Sequence, residues 1–192
     1  MDRPLKIAVV SLAGNIAFAS YYLIFGVVFN SAWLLSLGAY YLILSIVRFV
    51  VLRLKKKPRL ATSFSGVMLM FLSLALICTV ILSVIQDRGI KFHMIVMIAI
   101  AAYAFTKISV ATVNLIRSRK STAGAIMPLR SISFADALAS IFALQRSMLV
   151  SFDGMNEAEI MIMNGALGSA VCITVFLLGL LLVFKTDAFN FP

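Results

Sequence analysis

Arg130-Ser-Ile-Ser-Phe-Ala-Asp136-Ala-Leu-Ala-Ser140-Ile-Phe-Ala-Leu-Gln145-Arg146-Ser-Met-Leu-Val-Ser151 is apolar enough to cross a bilayer, yet it carries a carboxylate six residues in. A charge inside a membrane helix costs several kcal/mol and usually faces the interior of a bundle. Ser133, Asp136, Ser140, Ala143 and Ser147 recur at helical spacing and form one small, polar stripe. The opposite face is Ile, Phe, Leu and Met. Two readings follow: Asp136 lines a pathway, or it is held in a structural ion pair or as a protonated carboxyl.

The rest of the chain supplies the same solvent. Of 192 residues, 62% are hydrophobic and 12% charged, against about half and about a quarter in an ordinary soluble domain. The expectation is an all-α polytopic membrane protein with a single domain over residues 1–192. Six apolar stretches reach the roughly 20 residues a spanning helix needs: approximately 6–29, 31–53, 62–86, 93–116, 131–151 and 160–184. Ala17-Phe18-Ala19 mimics a signal-peptide cleavage site, but the apolar run continues to Phe29, which favours an uncleaved helix. The segment from Ser118 to Leu129, with Gly124 and Pro128, reads as a loop.

The net charge of +10 is distributed as topology, not as a nucleic-acid surface. Arg3 and Lys6 precede the first span. Arg53, Lys55, Lys56, Lys57 and Arg59 separate the second and third, and Arg117, Arg119, Lys120 and Arg130 separate the fourth and fifth. The alternate loops hold Asn30, then Asp87 to Lys91, then Asp153, Glu157 and Glu159. The positive-inside rule therefore expects both termini in the cytoplasm. Lys55–Lys57 read first as partners of anionic headgroups. Cys78 and Cys172 lie inside spans and read as free thiols.

Charged and polar side chains within the spans nominate a pathway: Asn15 and Tyr22 on the first, Arg48 on the second, Tyr103, Lys107 and Asn114 on the fourth, and Asp136 with Ser140 on the fifth. Lys107 lies about 15 Å from Arg117 at the helical rise, too deep for easy snorkelling. Arg146, nearer the outer end, is expected to reach the interface, and Tyr21, Tyr22, Trp33, Tyr40 and Tyr41 read partly as aromatic-belt residues. Spans one, two, four and five then enclose something polar, with three and six as packing helices. Gly165, Ala166, Gly168, Ser169, Ala170 and Cys172 give span six a small-residue face suited to pairing two copies. Metalloprotease, serine-hydrolase and phosphate-loop motifs are absent, so no enzyme, cofactor or nucleic-acid partner is expected.

Gly26-Val-Val-Phe-Asn-Ser31-Ala-Trp-Leu-Leu, at the entry to span two, and Ala135-Asp136-Ala-Leu-Ala-Ser140, in span five, resemble the transmembrane domain of the cation diffusion facilitator family. The resemblance covers nearly the whole chain in topology. It implies six spans with cytoplasmic termini, an inner bundle of spans one, two, four and five, and a dimer. The family's metal-ligand positions fall here on Tyr40, Leu44, Ile132 and Asp136, and only Asp136 ligates a divalent ion in the usual way. No metal is therefore assigned, and the C-terminal cytoplasmic domain of many members has no counterpart here. The expected function is a transporter-like permease in a prokaryotic plasma membrane, moving a small cation or proton. The alternative is a non-transporting scaffold or partner subunit. Arg48, tilted outward along its helix, is expected to stand in for the metal ion and grip Asp136 bidentately, with Lys107 as the competing partner.

Overall fold

The computed structural model describes residues 3–54, 57–85, 94–119, 126–151 and 156–188. These form six helices: α1 (Arg3–Val28), α2 (Ala32–Arg53), α3 (Pro58–Ile85), α4 (Met94–Arg119), α5 (Ile126–Ser151) and α6 (Glu157–Ala188). No strand occurs among the described residues. Four helices are long and apolar enough to cross a membrane: Ala32–Arg53, Pro58–Ile85, Met127–Ser151 and Glu157–Lys185. The apolar described stretches of the other two, Leu12–Val28 and Ala104–Ile116, are shorter. Large apolar side chains such as Ile46, Phe49, Phe71, Ile162 and Phe184 point outward while serines, Arg48 and Asp136 are buried. That inside-out distribution is compatible with a multi-pass membrane protein.

The serines and threonines of the interior carry their own solution to burial. Ser45, Ser65, Thr79 and Ser147 each donate to the carbonyl one turn back, at 2.6–2.9 Å. The hydroxyl is satisfied within its own helix and leaves the packing face apolar.

The α1–α2 turn is written in three residues. Asn30 takes a left-handed φ of 48°, a conformation asparagine tolerates better than most. The Ser31 amide then donates to the Gly26 carbonyl at 2.9 Å and the Asn30 amide to Val27 at 3.2 Å, which closes α1 as a Schellman motif. Ser31 also starts α2, its hydroxyl accepting from the Leu34 amide at 3.5 Å. The two helices run back along one another in a fixed register. A Cβ at Gly38 would lie 2.8 Å from Leu23, and one at Gly26 would lie 2.9 Å from Leu35.

α5 touches every other helix, while α3 and α6 share the most extensive contact. An inner bundle of the first, second, fourth and fifth helices would pack α4 on more than α5, whereas among the described residues its backbone approaches only α5. α3 packs on α2, α5 and α6 and leaves a larger share of its span unburied than α2 or α5 does. The start of α5 also differs from the expected loop over 118–129. The helix begins at Ile126 and takes Pro128 into its first turn, where no amide partner is lost. Finally, the small-residue face of α6 does not point outward throughout. Gly168 is buried in the chain's own interior, where a Cβ would meet Val80 of α3 at 2.5 Å and Phe142 of α5 at 3.1 Å.

Candidate functional site: a carboxylate between two cations

Asp136 sits mid-way along α5, and its side chain is 1% exposed. The Lys107 ammonium from α4 donates to Asp136 Oδ1 at 2.8 Å, and the Arg48 guanidinium from α2 approaches Oδ2 at 3.5 Å. Both expected partners are therefore present together, with their order reversed. Lys107 makes the short contact, and Arg48 makes one long contact instead of a bidentate grip. The reason is Ser133, one turn before Asp136, whose hydroxyl accepts from Arg48 Nη2 at 3.1 Å and draws the guanidinium along the stripe. Arg48 does not snorkel to an interface, since its side chain is 1% exposed. Lys107 keeps 14% of its side chain accessible, so it is the member of the trio that meets the surface.

Ser140 completes the arrangement. Its hydroxyl donates to the Asp136 carbonyl at 2.9 Å and accepts from Lys107 Nζ at 2.9 Å. The Tyr41 hydroxyl is 3.0 Å away, and with the serine proton already committed, the tyrosine is the donor. The small-and-polar stripe thus serves the charges directly: Ser133 holds Arg48 and Ser140 holds Lys107.

Aromatic rings form the wall facing these cations. Lys107 Nζ lies 5.8 Å from the Phe18 ring centroid and 5.7 Å from that of Tyr41, within cation–π range. Tyr22 stacks on Tyr41 with centroids 5.7 Å apart and planes 5° from parallel. Tyr40 meets Tyr41 edge-on at 5.6 Å, and its hydroxyl points to the Ala135 carbonyl at 3.5 Å. Tyr40, Tyr41 and Trp33 are buried, and only Tyr21 of the expected belt residues is exposed. The tyrosines line the charged centre because they lie on the α1 and α2 faces turned toward it.

The remaining nominated residues divide. Asn15 is buried at 2% exposure, and its Nδ2 has no hydrogen-bond partner. Asn114 is half-buried, and its backbone carbonyl accepts from Arg130 Nη1 at 2.9 Å, which ties α4 to the N-terminal part of α5. The Tyr103 side chain lies outside the described residues, as do His93 and the segment Asp87–Lys91. No group of three His, Cys, Asp or Glu side chains that could hold a metal occurs among the described residues. At the other positions that the resemblance would make metal ligands, Tyr40, Leu44 and Ile132 are all fully buried, and Leu44 and Ile132 offer no donor atom.

Sequence reasoning misplaced one charge. Arg146 does not reach an interface; it is 2% exposed. Its guanidinium lies over the Trp33 ring, 4.7 Å from the centroid, and donates to the Ser83 carbonyl of α3. A signal was available, since Ala135, Ala139, Phe142 and Arg146 fall at spacings of four, three and four, the rhythm of one buried face. Comparison with protein-family models, with curated proteins and with solved structures finds no match to this chain.

Proposed function

We propose that the chain is a six-span membrane permease with both termini cytoplasmic, in which a small ion passes the buried Asp136–Lys107–Arg48 cluster. The long apolar helices, their apolar exteriors and the charge alternation of the loops support this topology. The observation that carries the function is the cluster itself: three charged side chains from three helices meet deep in the bundle, and Lys107 alone remains partly accessible. Charges are expensive in such a place, and intramembrane ionisable groups characteristically mark ion pathways. The relation to cation diffusion facilitators belongs to this reading, as do pairing into a homodimer and residence in a prokaryotic plasma membrane.

A second reading has its own support. Both carboxylate oxygens are engaged by the protein's own cations, and two of the four family ligand positions are apolar. A scaffold or partner subunit that keeps the bundle without transport would look the same at these atoms. Reconstituted liposomes separate the two. A permease gives ion flux that falls in Asp136→Asn and Lys107→Met. No flux with any small inorganic cation or anion, or flux indifferent to both substitutions, leaves the scaffold reading.

A further inference from the structure

A groove of about 310 Å³ runs along the outside of the bundle between residues 12–23 of α1 and 42–49 of α2. At one end of this helix pair, Gly26 and Gly38 remove the side chains that would hold the helices apart, and a Cβ at either would lie within 2.9 Å of the other helix. Further along, two small buried residues, Ala19 and Ser45, make the floor, while Ile16, Ile46 and Phe49 stand exposed as the rims. The Ser45 hydroxyl donates to the Tyr41 carbonyl at 2.8 Å, so it adds no free donor to the floor. The groove is open outward and apolar in its walls, a shape that a flexible hydrocarbon chain fills by close packing.

Positive charge lies at one end of this groove. Phe49 lines it, and the Arg53 guanidinium, one turn further along α2, lies over the Phe49 ring, 5.1 Å from the centroid. Arg53 is exposed. Just past it the Lys57 amide donates to the Leu54 carbonyl at 2.8 Å, which folds the chain back and keeps the exposed Lys57 at the same end. No acidic residue occurs from position 3 to 86, so none of the first three helices carries a carboxylate. The spacing suits one membrane leaflet. Along α2, Phe49 lies about 6 Å and Leu42 about 16 Å from Arg53 at the helical rise. The hydrocarbon of one leaflet is about 15 Å deep, half of the whole core. With Arg53 at headgroup level, the groove therefore occupies the depth of an acyl chain.

We propose that this groove binds one anionic phospholipid, with an acyl chain between α1 and α2 and its phosphate on Arg53 and Lys57. A guanidinium meets a phosphate with two parallel donors, and basic residues beside a membrane favour anionic over zwitterionic headgroups. A second copy of the chain fits the groove less well. Two copies related by a twofold axis along the membrane normal would bring their Arg53–Lys57 ends to one level, where like charges meet. The inference rests on the membrane topology proposed above only for the choice of leaflet, which on that topology is the cytoplasmic one.

The test is native mass spectrometry of the purified full-length protein in detergent, with phosphatidylglycerol or phosphatidylcholine of the same acyl chains added. One phosphatidylglycerol is expected to stay bound, at least about fivefold more tightly than phosphatidylcholine, the scale of one basic residue near an anionic surface. Arg53→Gln should remove about fivefold of that preference. Ser20→Phe, on the exposed edge of the groove, places a ring in the path of the chain and should weaken both lipids. A wild-type protein that shows no preference between the two lipids overturns the proposal, and that comparison stands even if a variant fails to fold. Phosphatidylglycerol binding that survives intact in Ser20→Phe is headgroup adsorption to the basic residues and overturns it equally. A lipid-free dimer that Ser20→Phe dissociates gives the groove to a second copy and overturns it too. Lipid retention without ion flux in liposomes retires the permease and leaves the site, whereas flux without lipid retention does the reverse.

Discussion

Removing the carboxylate from a group of three charges is not equivalent to removing one of its cations. Lys107 Nζ and Asp136 Oδ1 are 2.8 Å apart, and Arg48 Nη2 and Asp136 Oδ2 are 3.5 Å apart. At an effective dielectric constant of about 20 these contacts correspond to roughly 6 and roughly 5 kcal/mol of attraction before desolvation is subtracted. Asp136→Asn loses both and leaves two cations repelling each other in the interior, so a destabilisation of about 3–5 kcal/mol is expected. Lys107→Met loses one attraction and, with it, the repulsion, leaving Arg48 and Asp136 as a one-to-one pair. Its expected loss is no more than about 1.5–3 kcal/mol, the range for hydrogen bonds to charged groups. The double variant keeps a single cation and should be more stable than Asp136→Asn alone. Reversible unfolding in mixed micelles, followed by Trp33 emission, measures all three and closes a double-mutant cycle. The reasoning is refuted if Lys107→Met costs as much as Asp136→Asn, or if the double variant loses the sum of the two single losses.

Other substitutions report on separate parts of the fold. Gly168→Leu drives side-chain atoms into Val80 and Phe142. It should destabilise the monomer by about 1–3 kcal/mol or more, visible as a lower unfolding midpoint at every protein concentration. A concentration-dependent loss would instead place Gly168 between two copies. Arg146→Met removes the cation from the Trp33 face and the donor from the Ser83 carbonyl. A shift in the emission of Trp33, the chain's one tryptophan, and a loss of about 1–3 kcal/mol are expected; unchanged emission contradicts the stacking. On the proposed topology, single cysteines at positions 56 and 155 of a variant lacking Cys78 and Cys172 should label from opposite sides of intact cells. Labelling of position 56 from outside ends that topology.

The helices were legible because long apolar runs admit little else, and most boundaries fell within a few residues of their expected places. The start of α5 was missed because Pro128 reads as a breaker, although a proline in the first turn removes no helical hydrogen bond. Asp136, Lys107 and Arg48 stood out as charges in an apolar background, and their meeting followed from that scarcity. Which cation comes closer was not legible, because it depends on Ser133 and Ser140, whose hydroxyls read only as small and polar. The aromatic wall was hidden for a related reason. A tyrosine in a membrane-length helix suits an interface as well as a cation, and the choice is made by helix rotation, which single-span periodicity constrains weakly. Arg146 shows the same gap: its distance along α5 suggested the surface, while its angular position placed it inside.

That α5 contacts every other helix has a consequence for how the chain is made. Synthesis runs from α1 onward, so Arg48 and Lys107 are made before Asp136 exists. At about 5–20 residues per second, the 88 positions between Arg48 and Asp136 correspond to roughly 4–18 s. Through that interval a nascent α2 carries its guanidinium before Asp136 can meet it, and on the proposed membrane topology the insertion machinery or a lipid phosphate would host it. The arrival of α5 then acts as a latch, converting a set of provisional helices into one committed assembly. Ribosome-associated chains that end before Ile126 should accordingly remain extractable and protease-sensitive, and those long enough for Ser151 to clear the ribosome should not.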